Sequence, residues 1–196
     1  ILNGIDTEIF YPDQSKTVSK RIVTVASADV PLKGLDYLLD AFANLLKYDP
    51  SLELFVIGSF NEGGHTERKI KYLNIEKKVT FKNDLNFNQV REIYCSADIV
   101  VIPSLYEGFG FGAGEAMACG VPLISTHSGG LEEVVGDAAL KIMPSSAEEI
   151  EKAVIKLFNN PEDMRKLSIK GRQRMEEIFD WKIAASSYLC LLYTSD

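Results

Sequence analysis

Basic charge is in deficit in this sequence: 21 lysines and arginines face 28 acidic residues, leaving a net charge of −7 and a pI near 5.0. Proteins that hold nucleic acid or membrane surfaces do so through positive patches, so the balance argues against both. An anionic ligand would need local positive features instead of a global field. Cysteine and histidine are sparse too. Cys95, Cys119 and Cys190 are odd in number and far apart, and neither they nor His65 and His127 make a metal-ligand spacing. The plain reading is three reduced structural thiols in a cytoplasmic protein. No run approaches the ~20 apolar residues of a membrane span. The first residues, ILNGIDTEIFYP, lack the basic start and apolar stretch of a signal peptide. Internal repeats and low-complexity segments are absent.

Three familiar signatures are missing as well. A dinucleotide-binding domain wants G-x-G-x-x-G directly after its first strand, and the residues there, ASADVPLKG, hold one glycine. No G-x-x-x-x-G-K-[ST] run marks a P-loop, and no G-x-S-x-G elbow marks a hydrolase.

What is present is an alternation of short β-branched runs with helix-period segments. The 196 residues suit one domain, with 46% hydrophobic and 25% charged residues. RIVTVAS (21–27), LELFVIG (52–58), VTFK (79–82), DIVVIP (98–103), VPLIST (121–126) and AALKIM (138–143) read as strands. Between the first two, Leu35, Leu38, Leu39, Phe42, Leu45 and Leu46 follow the spacing of an amphipathic helix, which Pro50 ends. The polar segment 61–74 holds a loop and a weaker helix, and 88–97 is a short helix with Val90, Ile93, Tyr94 and Ala97 inward. Ser146 and Glu149 suggest a capping box for a helix over 147–158, Asn160-Pro161 starts another, and 181–193 is a last helix. Strands alternating with helices predict a Rossmann-like, doubly wound α/β fold, its mostly parallel sheet covered by helices on both faces. The turn-rich leader of about 20 residues fits either an interdomain linker or a frayed terminus.

In such a fold ligands sit beyond the carboxyl ends of the strands. Strand 98–103 runs into EGFGFGAGEAMACG (107–120), a loop followed by a small-residue helix from about Gly112 to Cys119. Glycines 108, 110, 112 and 114 leave backbone N–H groups uncovered at the helix start, where the macrodipole favours an anion. This can be a phosphate site built without basic side chains; on the glycines alone it can equally be a tight turn. Glu107 and Glu115 bracket the glycines eight residues apart. An ionised carboxylate only accepts hydrogen bonds, so each can take vicinal sugar hydroxyls. Ordinary helix capping competes for Glu115, and a glycosidase-like acid/base pair is a further alternative, disfavoured by the anion-attracting helix start. Lys33, after the first strand, points at the same sheet edge and can neutralise a diphosphate, or is a solvated surface lysine.

At these residues the chain resembles the family-four retaining glycosyltransferases of the GT-B fold. The likeness runs through NGID and F-x-P at 3–12, LKGLDYLLDAF at 32–42, LFVIG at 54–58, VTF at 79–81, IYCSADIVVIPSLYEGFGFGAGEAMACGVPLIST at 93–126, SGGLEEVVGD at 128–137 and F-x-W at 179–181. The E-x7-E element from Glu107 to Glu115 is its most specific part. The resemblance implies a donor domain, over 21–180, that binds a UDP-, GDP- or ADP-sugar. It implies that Glu115 accepts the ribose hydroxyls and that Glu107 contacts the donor sugar. The backbone of Gly108, Phe109, Gly110, Phe111 and Gly112 would contact sugar and phosphate, Lys33 the diphosphate, and Lys82 and Asn83 lie by the base. Glu107 and Lys33 are then the catalytic candidates, with no bound metal or other cofactor. Residues 1–20 become a linker remnant and 181–196 a helix crossing back to a missing N-terminal domain that would hold a sugar, lipid or polysaccharide acceptor. That domain would also carry any peripheral membrane contact. Without it the chain would be inactive alone, or a binding-only module; a GT-B sugar-nucleotide epimerase is a third reading. Three departures stand out: Ala28 occupies the place of a usual arginine, GSFNEGG (58–64) replaces a usual GDG-like turn after the second strand, and Phe111-Gly112 replaces a usual Leu-Pro.

Overall fold

A computed structural model describes residues 3–13 and 20–193; residues 14–19 of the expected linker and 194–196 of the carboxyl-terminal tail lie outside the described residues. The six strands are β1 (Arg21–Val25), β2 (Glu53–Ile57), β3 (Val79–Lys82), β4 (Ile99–Ile102), β5 (Leu123–Thr126) and β6 (Leu140–Ile142). They form one sheet in the order β3-β2-β1-β4-β5-β6, every neighbouring pair parallel. The helices are α1 (Leu35–Tyr48), α2 (His65–Tyr72), α3 (Phe87–Ser96), α4 (Phe111–Ala118), α5 (Leu131–Val135), α6 (Ala147–Phe158), α7 (Pro161–Glu177) and α8 (Trp181–Tyr193).

The apolar strand runs are needed because both faces of the sheet are covered. Ile22, Leu54, Ile99, Val101 and Ile124 point to a layer with α1, α2 and α6. Val23, Val100, Ile102 and Leu123 point the other way, to α3, α4, α5 and α7. All four side chains of β4 are buried, as the unbroken run 98–103 predicts. On the second face, glycines on both helices let α4 and α7 come close: a Cβ on Gly171 of α7 would stand 3.3 Å from the Met117 side chain, and one on Gly114 of α4 3.4 Å from Met175 Sδ. Among the described residues no helix is long and apolar enough to cross a membrane.

Residues 3–13 are packed, not frayed. Ile5 and Phe10 are buried. Ile5 N donates to Phe179 O at 2.7 Å and Trp181 N to Ile5 O at 2.9 Å, an isolated parallel bridge with Asp180. The Arg172 guanidinium on α7 donates to the carbonyls of Thr7, Phe10 and Ala118, tying this strap to the end of α4. The Thr7 hydroxyl also donates to the Asp180 carboxylate.

Candidate functional site

β1 and β4 are neighbours, but the helices that follow them, α1 and α4, pack on opposite faces. Their carboxyl ends therefore part around a crevice, the switch point where doubly wound sheets bind ligands. Two loops meet there. The chain leaving β1 makes a 3-10 turn over Pro31–Lys33 and ends it at Gly34, whose φ is 67°. A Cβ on Gly34 would lie 2.0 Å from Pro103 O, so only glycine lets this turn lie flat on the loop after β4. Leu105 N donates to Leu32 O at 2.8 Å across the same junction. The outcome is an ion pair: Lys33 Nζ donates to Glu107 Oε2 at 2.7 Å, with both side chains largely shielded, and Ser104 Oγ approaches the same oxygen at 3.3 Å.

The loop that carries Glu107 is propped from behind. Thr126 Oγ1 and Ser128 Oγ both donate to Ser104 O, at 2.6 and 2.8 Å. Gly130 N donates to Glu107 O at 2.8 Å. Cβ atoms on Gly129 and Gly130 would lie 2.3 Å from Glu107 O and 2.2 Å from Gly108 O. Sequence reasoning gave residues 127–130 no part in the site beyond the family likeness of 128–137; the Gly129-Gly130 pair shortly after β5 was the available signal.

α4 begins at Gly110, in the left-handed region at φ 102°. Its first turn has no side-chain cap and no acidic residue, so the positive end of the helix is left unneutralised. The amides of Phe111 and Gly112 have no partner within the helix. With Lys33, Glu107, Val25, Ile102 and Ala113, Gly110, Phe111 and Gly112 line a cleft of about 180 Å³. The four alternating glycines do different jobs, contrary to the single reason the sequence suggests. Gly108 faces open space and Gly110 supplies the positive φ. Gly112 makes room for Val25 and Tyr94, and Gly114 is buried against Ile5 of the strap. Phe111 is half exposed, while Phe109 turns inward, its ring 4.8 Å from Phe111 and 6.1 Å from Phe179 between centroids.

Glu115 stands one turn into α4, and the buried Tyr94 hydroxyl of α3 donates to its Oε2 at 3.1 Å. Burial pushes the Glu115 carboxyl up to about 7, partly offset by that hydrogen bond. It is not among the residues that line the cleft of Lys33 and Glu107; its contact is with Tyr94, on the flank of α4 that meets α3. Lys82 and Asn83 are exposed at the carboxyl end of β3, two strands from β1 and so on the order of 10 Å to the side. Ala28 is buried, its N–H donating to Ser59 O at 2.8 Å, and Lys33 is the one cation among the described residues lining the cleft. Among the described residues no cluster of three His, Cys, Asp or Glu side chains could hold a metal ion.

Residues 6–174 match the family described as Glycosyl transferases group 1. MMP alpha-(1->4)-mannosyltransferase of Mycolicibacterium hassiacum is 37% identical over 186 residues, 93% of this chain and 45% of that protein. A solved sucrose-phosphate synthase from Thermosynechococcus elongatus superposes with a TM-score of 0.83 at 25% identity, over 99% of this chain and 52% of that one. The C-terminal domain of a glycosyl transferase group 1 family protein from Francisella tularensis gives 0.77 at 25% identity, over 90% of this chain and 99% of that domain. The chain spans about half the length of the curated relatives it matches.

Proposed function

Because the chain belongs to the group 1 glycosyltransferases, we propose that it is the donor half of a retaining enzyme that moves a sugar from a nucleoside diphosphate to an acceptor hydroxyl. The observation that carries this reading is the Lys33–Glu107 pair set against the uncapped start of α4 at the sheet's switch point. A diphosphate arriving there takes over the Lys33 ammonium and the free amides of Phe111 and Gly112, and Glu107 is released to accept from donor-sugar hydroxyls. Glu115 accepts the ribose hydroxyls. The base extends toward Lys82 and Asn83 at the carboxyl end of β3. As the leaving diphosphate gathers charge, donors already in place stabilise it without reorganisation. The acceptor is held by a second domain, and a cytoplasmic location belongs to the same proposal.

Calorimetry of this chain against UDP-, GDP- and ADP-sugars tests the reading. One of them binds, Lys33→Ala and Glu115→Ala each weaken it at least tenfold, and unchanged affinity in both variants rejects the site. In a two-domain form, Lys33→Ala lowers turnover by the ~2.7–4 kcal/mol typical of a lost oxyanion donor. The alternative is a binding-only nucleotide-sugar module, which sugar transfer by this chain alone would eliminate.

A further inference from the structure

The contact that holds Glu115 is unusual in where it comes from. Tyr94 is fully buried, belongs to the layer beneath α4, and packs edge-on to Phe10 of the strap with centroids 6.4 Å apart. Its hydroxyl nevertheless reaches up to the rim. A Cβ on Gly112 would stand 3.3 Å from Tyr94 Oη and 2.9 Å from Val25 Cγ2, so the hydroxyl is wedged between the end of β1 and the first turn of α4. A buried phenol needs a hydrogen-bond partner, and this one finds it in Glu115 Oε2 at 3.1 Å.

Resting on the reading that Glu115 takes nucleoside hydroxyls, we propose that Tyr94 is a positioning residue for nucleotide-sugar binding. Its hydroxyl occupies one lone pair of the Glu115 carboxylate, fixes the rotamer, and draws the group back toward the ionised form that burial disfavours, so that its remaining lone pairs accept from the ligand. A carboxylate offers about four acceptor sites, so a ribose diol can share it with the phenol. A protonated Glu115 would instead present a donor where the ligand also presents donors. The hydrogen bond therefore acts on affinity through the charge state of another residue, not through contact with the ligand. The other charged groups around α4 are engaged elsewhere. Arg172 and Arg174 of α7 bind backbone carbonyls, Glu132 of α5 pairs with Lys141, and Arg91 of α3 stacks on the Tyr11 ring; the Cys119 thiol at the end of α4 is held neutral by its hydrogen bond with Cys95 and by burial, and the same bond draws the Cys95 thiol down to about 7.

The test combines carboxyl NMR titration of Glu115 in the ligand-free chain with calorimetry of UDP, GDP and ADP between pH 5.5 and 8.5. In Tyr94→Phe the Glu115 midpoint rises above the wild-type value. Affinity at pH 7.5 falls about 3- to 10-fold, the scale of one ordinary hydrogen bond, and the deficit narrows at pH 8.5. Tyr94→3-fluorotyrosine keeps the ring, strengthens the donor, and moves the midpoint down; it serves even if Tyr94→Phe folds poorly. Equal Glu115 midpoints in all three proteins overturn the proposal, as does an affinity indifferent to Tyr94. If Glu115→Gln loses affinity while Tyr94→Phe does not, positioning fails and the ribose role stands. If Glu115→Gln binds UDP, GDP and ADP like wild type, or wild type binds none of UDP, GDP and ADP, the ribose role itself fails.

Discussion

Burial that lifts the Glu115 carboxyl from its ordinary 4.5 to about 7 has a thermodynamic consequence for the ligand-free fold. The native state holds that proton more tightly than the unfolded chain does. The group's stabilising contribution is therefore complete below pH 4.5 and is lost as pH rises through 7. Above that pH the ionised side chain costs on the order of 3 kcal/mol. Glu115→Gln should accordingly raise stability at pH 8 by up to that amount and leave it nearly unchanged at pH 4.5; urea unfolding at the two pH values measures the difference. The same substitution removes a ligand acceptor, so stability and binding move in opposite directions. Both carboxylates were legible in the sequence, because acids bracketing a glycine run after a buried strand are a local pattern. The bond between Tyr94 and Glu115 was not, since it depends on how α3 crosses α4. The spacing reading placed Tyr94 inward and had no means of saying what its hydroxyl meets.

Among the elements, α4 and the turn before α1 have the least tolerance for added atoms. In Gly112→Ala the new methyl meets Val25 and Tyr94, and overpacking of this kind costs typically ~1–3 kcal/mol. Gly34→Ala combines a φ of 67° with a clash against Pro103 O at 2.0 Å. It should destabilise by more than ~1 kcal/mol and also pull Lys33 from Glu107; thermal unfolding and nucleotide-sugar titration would register the two effects separately. Helix and strand positions were largely readable from periodicity, with ends differing by one or two residues. Of the anticipated capping box at Ser146, the half in which Ser146 Oγ accepts from Glu149 N is formed, at 3.1 Å. A full box at Asn86 and Gln89 went unread because the apolar spacing of Val90, Ile93 and Tyr94 starts the helix at 88, past its cap. α5, five residues long, is too short to show a period at all.

Across the whole molecule the decisive contacts join the strap to α4 and α7, parts of the chain more than a hundred residues apart, where no local pattern reaches. Composition left 1–20 open between linker and frayed end; only the fold shows Ile5 and Phe10 buried. Arg172→Met would leave the Thr7, Phe10 and Ala118 carbonyls without their donor and should cost roughly 2–4 kcal/mol. Faster amide exchange at Ile5 would report the strap's release. The position of Ile5 gives that release a further meaning. Its Cδ1 fills the notch left by Gly114, where a Cβ would stand 2.7 Å away, and Gly114 adjoins Glu115 in the chain. Any substitution that withdraws Ile5 therefore unpacks the backbone of α4 one residue away from the carboxylate.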